Sequence, residues 1–149
     1  MQATLTTINY LDHIHLRVNN LARSKYFYCN LLGFTPCPTE PTSAVVCILK
    51  APTKDQAPTF SIILTEGLPT GSELTGMDHF SISISTMARV EEIYQKAMEH
   101  GFRATKPRLY EGNYQTFIFD PDGYKIEFFT KNPNMIENAI HEEQFIVNK

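Results

Sequence analysis

The sequence is poor in cysteine, lacks tryptophan and has no excess of basic residues. Its three cysteines are odd in number and form no Cys-x-x-Cys pair, which argues against both a disulfide framework and a thiolate zinc site. We interpret Cys29, Cys37 and Cys47 as reduced structural residues of a cytoplasmic protein. The 13 Lys and Arg residues are outnumbered by 16 Asp and Glu residues, and the formal net charge of -3 offers no basic field to nucleic acid or to a membrane surface.

The sequence also lacks any hydrophobic run that approaches membrane-spanning length. Its first ten residues have neither the basic start nor the apolar stretch of an export signal, which again favours the cytoplasm. With 149 residues the chain is long enough to bury a hydrophobic core without disulfides. We therefore expect a single domain over residues 1–149.

One pattern occurs twice in the chain. An Asp-His pair opens an alternating strand at residues 11–18 and again at residues 77–85, and an amphipathic helix follows each time. His13 and His79 stand at the same point of the two repeats. The polar faces of the two strands also carry His15, Arg17 and Ser81. The repeat predicts two similar modules, each of which supplies one histidine.

The helices have recognisable ends. Asn19 or Asn20 is expected to cap the first helix and Gly33 to end it. Thr86 and Gly101 take the same roles in the second helix. Each half of the chain is therefore expected to begin with a strand and a helix that covers the apolar face of that strand.

Further strands complete the two modules. Runs of β-forming residues predict strands at 44–49, 59–65, 114–119 and 124–130, with a weak extended piece at 104–109 and a turn at 120–123. The order βαβββ then places the first module at residues 10–66 and the second at 77–131, with a linker between them and a weak second strand in the first module. The tail, residues 132–149, is expected to form a short helix.

Three residues form a candidate metal site. His13 and His79 open the two repeats, and Glu127 belongs to a later alternating strand of the second one. Two neutral imidazoles and one carboxylate, with positions left open for water or substrate, suit a catalytic divalent ion. The competing interpretation is that the histidines are structural residues held by hydrogen bonds.

Two stretches of the chain resemble a known family. "LDHIHLRVNNLARSKYFYCNLLGF" and "FIFDPDGYKIEFF" are similar to the opening and closing signatures of the vicinal oxygen chelate superfamily, which includes glyoxalase I, bleomycin-resistance proteins, fosfomycin-resistance thiol transferases, extradiol dioxygenases and methylmalonyl-CoA epimerase. The resemblance covers roughly residues 10–131. It implies an α+β fold in which two βαβββ modules form a curved mixed sheet around a central cleft.

The same resemblance implies metal ligands on the first and last strands of each module. His13, His79 and Glu127 occupy three of these positions, and either Ile62 or Ile63 occupies the fourth. Because isoleucine cannot bind a metal, we expect three protein ligands and one divalent ion, which can be Zn, Mn, Fe or Ni.

Other residues are candidates for substrate contacts. His15 shares a strand face with His13 and is either a general base or only a hydrogen-bonding partner. Glu127 is the other candidate base, and we favour His15 because a carboxylate that holds a metal is a poorer base and because histidine titrates near neutral pH. Arg17 and Ser81 can orient an anionic or carbonyl group. Tyr110 and Tyr114 lie, by family analogy, in a segment over the cleft, where they either contact the ligand or pack at strand edges.

Several activities of the family fit poorly. Arg108, Leu109 and Tyr110 stand where an extradiol dioxygenase has a catalytic histidine. The fosfomycin enzymes have a threonine in place of His15, and glyoxalase I and the epimerase need the missing fourth ligand. We therefore predict a metal-dependent lyase or isomerase that acts on a small oxygenated molecule. The alternatives are a bleomycin-resistance-like binding protein without turnover and a thiol transferase related to fosfomycin resistance.

The predicted partners follow from the same architecture. We expect a small-molecule substrate, and we expect neither nucleic acid nor a membrane as a partner. Curved sheets built from two modules leave strand edges and apolar surface that relatives cover by pairing, so a homodimer is expected.

Overall fold

The computed structural model describes residues 11–37, 46–51, 60–67 and 76–131. The chain divides into two compact units, Met1–Pro69 and Thr70–Lys149. Each unit contains a four-stranded mixed sheet, so the predicted α+β fold is confirmed. Within the described residues, no helix is long and apolar enough to cross a membrane.

The first unit follows the predicted order of elements. They are β1 (His13–Val18), α1 (Leu21–Lys25), a π-helical segment (Tyr26–Leu31), β2 (Thr35–Pro36), β3 (Val46–Lys50) and β4 (Ser61–Glu66). The strands lie in the order β1-β4-β3-β2, with β1 parallel to β4 and the other pairs antiparallel. The weak second strand of the prediction is the two-residue β2.

The alternation of β1 separates a core face from a polar face. Leu16 and Val18 are buried, whereas His13 and His15 are exposed. The helical segment buries the apolar stripe that the sequence predicts, and the rings of its two adjacent aromatic residues meet edge to face at 5.0 Å. The buried residues of this stripe are Leu21, Phe27, Tyr28 and Leu31.

Both helices begin and end at the residues that the sequence predicts. The Asn20 side chain accepts a hydrogen bond from the Arg23 backbone, which decides between the two candidate caps of α1. Gly33 and Gly101 follow the helices with φ angles of 77° and 73°, a left-handed conformation that glycine adopts without steric cost. Thr86 caps the helix of the second unit by accepting a bond from the backbone N–H of Arg89.

The second unit repeats the architecture. Its elements are β5 (Phe80–Ser83), α2 (Met87–Glu99), β6 (Arg108–Tyr110), β7 (Asn113–Phe119) and β8 (Lys125–Lys131). The strand order is β5-β8-β7-β6, with β5 parallel to β8. Helix α2 packs on β7 and β8. The side chains buried in this unit include Val90, Ala97, Ile118, Ile126 and Phe128.

The predicted turn between β7 and β8 is held by one carboxylate. Asp120 is buried, and its Oδ1 accepts hydrogen bonds from the backbone N–H groups of Asp122 and Tyr124, both at 2.9 Å. The turn fixes the register of the hairpin, in which Phe117 lies opposite Glu127. The Asp-Pro-Asp-Gly sequence thus sets where the Glu127 side chain lies.

Some expectations differ from the structure or lie outside it. The strand predicted at 77–85 is shorter, so His79 lies just before β5 and not within it. The extended piece predicted at 104–109 is an isolated bridge at Ala104 followed by β6. Most of the linker and the whole tail, residues 132–149, lie outside the described residues.

Candidate metal centre

The two sheets place their first and last strands in the same relation. In the first unit His15 pairs with Ile63, and in the second unit Ser81 pairs with Glu127. His15 and Ser81 each follow the repeated histidine by two residues. Ile63 is therefore the register equivalent of Glu127, which decides between the two isoleucines that the sequence left open. Ile62 is fully buried on the opposite face.

Two of the three predicted ligands come together in the second unit. His79 Nε2 lies 3.4 Å from Glu127 Oε2, and their side chains are 32% and 14% exposed. The Ser81 hydroxyl donates a hydrogen bond to the same carboxylate oxygen. The Phe117 ring meets the His79 ring edge to face, with 5.3 Å between their centroids. Ser81 thus holds the Glu127 carboxylate beside the imidazole, and Phe117 packs against the imidazole ring.

Each repeated histidine is bonded to the aspartate before it. His79 Nδ1 lies 2.6 Å from Asp78 Oδ2, and His13 Nδ1 lies 2.8 Å from Asp12 Oδ2. Because an ionised carboxylate can only accept, Nδ1 carries the proton in each pair, and the lone pair of a neutral ring is on Nε2. Asp12 and Asp78 are not among the residues predicted from the sequence, although their repetition before both histidines is a visible signal.

Asp78 also accepts a hydrogen bond from Lys125 Nζ at 3.0 Å. The hydrogen bond from His79, followed by that from Lys125, holds the pKa of the Asp78 carboxyl below its usual value. The Lys125 ammonium lies 4.7 Å from the centroid of the Phe117 ring. Asp78 therefore connects His79 and Lys125, because its carboxylate accepts a hydrogen bond from each of them.

These residues fit a divalent ion. Two ligand atoms that are each about 2.1 Å from one ion lie roughly 3.0–3.4 Å apart, the range that contains the separation of His79 and Glu127. Neither unit, over its described residues, gathers three His, Cys, Asp or Glu side chains into a metal-binding group. The third predicted ligand, His13, belongs to the first unit.

The polar face of the first sheet carries a second hydrogen-bonded pair. His15 Nε2 lies 2.7 Å from Thr65 Oγ1. Arg17 is the register partner of Thr65, and a Cβ atom at Gly67 would lie 3.3 Å from its guanidinium. His15 and Arg17 therefore lie beside Thr65 of β4, on the strand face that also carries His13.

The two predicted tyrosines lie on opposite faces of the second sheet. Tyr110 is 50% exposed, and the register places it on the same face as Glu127. The Tyr114 hydroxyl donates to Glu91 of α2, so this ring lies on the face that the helix covers. That hydrogen bond, together with burial, raises the pKa of Tyr114 above its usual value. Tyr110 shares a face with Glu127, and Tyr114 does not.

Solved structures share the fold of this chain. A glyoxalase/bleomycin resistance protein/dioxygenase domain from Frankia sp. EAN1pec is 18% identical with a TM-score of 0.69, over 85% of this chain and 100% of its own. The antibiotic binding protein TnmS3 from Streptomyces sp. CB03234 is 20% identical with a TM-score of 0.62, over 85% and 99%. The fosfomycin resistance protein FosX from Listeria monocytogenes is 18% identical with a TM-score of 0.61, over 86% and 98%.

A relative is also found among characterised sequences. The trivalent organoarsenical cleaving enzyme of Bacillus sp. (strain MD1) is 27% identical over 144 residues, which cover 92% of this chain and 83% of that enzyme. The model of the glyoxalase/bleomycin resistance protein/dioxygenase superfamily matches residues 10–128, which include all three predicted ligands. This chain belongs to the glyoxalase/bleomycin resistance protein/dioxygenase superfamily.

Proposed function

We propose that this protein is a metal-dependent enzyme of the lyase or isomerase type that acts on a small oxygenated molecule. His13, His79 and Glu127 are the proposed ligands of one divalent ion. The observation that carries the proposal is the 3.4 Å approach of His79 Nε2 to Glu127 Oε2, with Nδ1 of the same ring engaged by Asp78. Members of this superfamily commonly use a divalent metal.

The ion, which can be Zn, Mn, Fe or Ni, would act as a Lewis acid toward a carbonyl or toward neighbouring oxygens of the substrate. Ser81 orients Glu127 through its hydroxyl, so we assign it to the support of this carboxylate and not to a substrate contact. Ile63 supplies no ligand atom. Three protein ligands leave room for the substrate, as a catalytic site requires.

A proton must also move in lyase or isomerase chemistry, and Ile63 cannot carry one. His15 is the proposed base, because it lies on the same strand face as His13 and pairs with Ile63 in the sheet. The Thr65 hydroxyl beside its Nε2 can accept or donate a hydrogen bond, so it can follow either protonation state of the ring. Glu127 is the less suitable base because it is committed to the ion.

Two further side chains are proposed to contact the substrate. Arg17 lies on the His13 face of the first sheet and offers a fixed positive charge to an anionic or carbonyl oxygen. Tyr110 lies on the Glu127 face of the second sheet, with the Arg108 guanidinium 5.4 Å from its ring centroid. Tyr114 is left out of the proposed site because its hydroxyl is bonded to Glu91.

Cleavage of a trivalent organoarsenical is the second candidate, since a relative is named for it. Trivalent arsenic is a soft centre that favours thiolate ligands. All three cysteines belong to the first unit, and the second unit contains none. Of the two whose burial is described, Cys29 is half-buried and Cys37 is buried. The unit that carries His79 and Glu127 therefore offers no thiolate of its own to arsenic.

The proposal extends to the surroundings of the enzyme. Proteins of this superfamily typically bind small molecules and often form dimers. We propose a homodimer in the cytoplasm, with no nucleic acid and no membrane as partner. Light scattering at tens of micromolar tests the dimer, and a monomer would contradict it.

A screen of metals and ligands tests the function. The protein is loaded with each candidate ion and assayed against small carbonyl compounds, a vicinal diol, fosfomycin with a thiol, and a trivalent organoarsenical. The proposal expects conversion of an oxygenated compound by loaded protein and loss of that conversion in chelator. Ligand binding that is equally tight with and without metal, and that leads to no conversion, would instead identify a binding protein.

A further inference from the structure

We infer that Asp12 and Asp78 are positioning residues that fix the ring orientation and the protonated nitrogen of His13 and His79. The inference rests on the proposed metal site and goes beyond it. It assigns a function to two residues that touch neither substrate nor ion. Their bonds to Nδ1, at 2.8 and 2.6 Å, place the proton on the nitrogen that faces away from the proposed ion.

The repetition of the pair argues for a function. The same two residue types make the same bond in both units, where the first strand begins at His13 in one unit and directly after His79 in the other. The surroundings differ, because Asp78 also binds Lys125 and is linked through it to the Phe117 ring. The feature that the two sites share is therefore the bond to Nδ1 of the histidine and not the surroundings of the aspartate.

Stability does not explain these pairs. The side chains of Asp12 and Asp78 are 76% and 77% exposed. Ion pairs between exposed side chains contribute little to folding, since solvent weakens the attraction and the side chains lose freedom. Replacing either aspartate is therefore expected to leave the fold intact, which allows the effect on the histidine to be measured by itself.

The two pairs are not equally constrained. Asp78 is held from two sides, by His79 and by Lys125, so its carboxylate has less freedom than that of Asp12. The loss of Asp78 should accordingly affect His79 more than the loss of Asp12 affects His13. Replacing Lys125 with Met keeps the Asp78 carboxylate but removes its second partner, and the effect should be intermediate.

The experiment compares Asp12→Ala and Asp78→Ala with Asp12→Asn and Asp78→Asn, whose amide oxygen can still accept from Nδ1. Glu99→Ala removes one exposed carboxylate elsewhere and controls for charge. Nitrogen-15 NMR of the metal-free proteins at about pH 8, where an unperturbed imidazole is neutral, reports which ring nitrogen carries the proton. Competition with a chelator then gives the Zn²⁺ affinity.

We expect Nδ1–H rings for His13 and His79 in the wild type and a shift toward Nε2–H for the affected ring in each Ala variant. Zn²⁺ affinity should fall by about 10–100-fold in the Ala variants, recover in large part with Asn, and stay unchanged in Glu99→Ala. Melting temperatures should agree within a few degrees.

The outcomes separate the inference from the proposed function. If the wild type binds Zn²⁺ and the Ala variants keep both their Nδ1–H rings and their affinity, the inference is wrong while the metal site stands. Nε2–H rings in the wild type would overturn it equally. If the wild type binds no Zn²⁺, the proposed function fails and the inference fails with it.

Discussion

Ile63 occupies in the first sheet the register position that Glu127 occupies in the second. His15 pairs with Ile63 as Ser81 pairs with Glu127, and both pairs lie on the face that carries the repeated histidines. At this equivalent position the second unit therefore has a carboxylate, and the first unit has an aliphatic side chain.

Replacing Ile63 with Glu should add a fourth ligand. Ile63 is only half-buried, so a carboxylate at this position is expected to be tolerated. Metal affinity should rise by about tenfold or more, since even groups outside the ligand shell are worth about 10–100-fold. Chelator competition measures the change, and Ile63→Leu is the matched control without an oxygen. Equal affinities of the Glu and Leu variants would contradict the assignment of this position.

His15 is expected to matter for turnover and not for metal binding. His15→Gln keeps a side chain that can hydrogen-bond Thr65 but cannot move a proton, and turnover should fall by about 10²-fold or more. The metal content of the variant should equal that of the wild type. Thr65→Val is the companion variant, with a smaller loss because the imidazole remains. Wild-type turnover in His15→Gln would refute its role as the base.

Asp120 should be important for stability. Its Oδ1 accepts two backbone N–H groups, and in Asp120→Ala both lose that acceptor, one of them in a buried bond. We expect a loss of about 1–3 kcal/mol in the free energy of unfolding, measured with urea. Asp120→Asn keeps the accepting oxygen and should lose much less. An Ala variant as stable as the wild type would show that the turn holds without this side chain.

The hydrogen bond between Tyr114 and Glu91 should stabilise the protein in a way that depends on pH. The bond raises the folded-state pKa of Tyr114 above its usual 10.0, so its contribution is present below pH 10.0 and disappears as the pH rises through the folded-state pKa. Because the pair is only partly buried, Tyr114→Phe should cost about 0.5–1 kcal/mol at pH 7.

Urea titrations of the wild type and Tyr114→Phe at pH 7 and at increasing alkaline pH check this prediction. The difference between the two proteins should shrink as the pH rises. Tyr110→Phe, at an exposed ring on the other face of the sheet, should differ little from the wild type at any pH. A Tyr114→Phe difference that grows toward alkaline pH would contradict the predicted sign.

Local patterns predict much of this fold because they reflect local physics. The alternation of β1 gives its polar face, and Asn20, Thr86 and the two helix-ending glycines mark the helices through backbone hydrogen bonds and φ angles. The repeated histidines and Glu127 are visible in the sequence as candidate ligands, through their residue types and their place in the two modules, and their role as ligands stays a prediction.

What the sequence left open depends on register and on side-chain conformation. A slip of one residue moves every side chain of a strand to the other face, so only the pairing of β1 with β4 distinguishes Ile63 from Ile62. The bonds of Asp78 to His79 and of Ser81 to Glu127 depend on rotamers that no sequence pattern specifies. Tyr114 is one of the predicted ligand contacts, and the alternation of β7 places it toward α2 instead.

The metal content of purified protein tests the central claim most directly. Wild type, His79→Ala and Glu127→Ala are purified without chelator, loaded with Zn²⁺, desalted and measured by elemental analysis. His100→Ala and Glu99→Ala change the same residue types at exposed positions outside the proposed centre and serve as controls. We expect about one ion per chain in the wild type and in both controls, and almost none in His79→Ala and Glu127→Ala. Equal metal content in all five proteins, or none in the wild type, would contradict the proposed site.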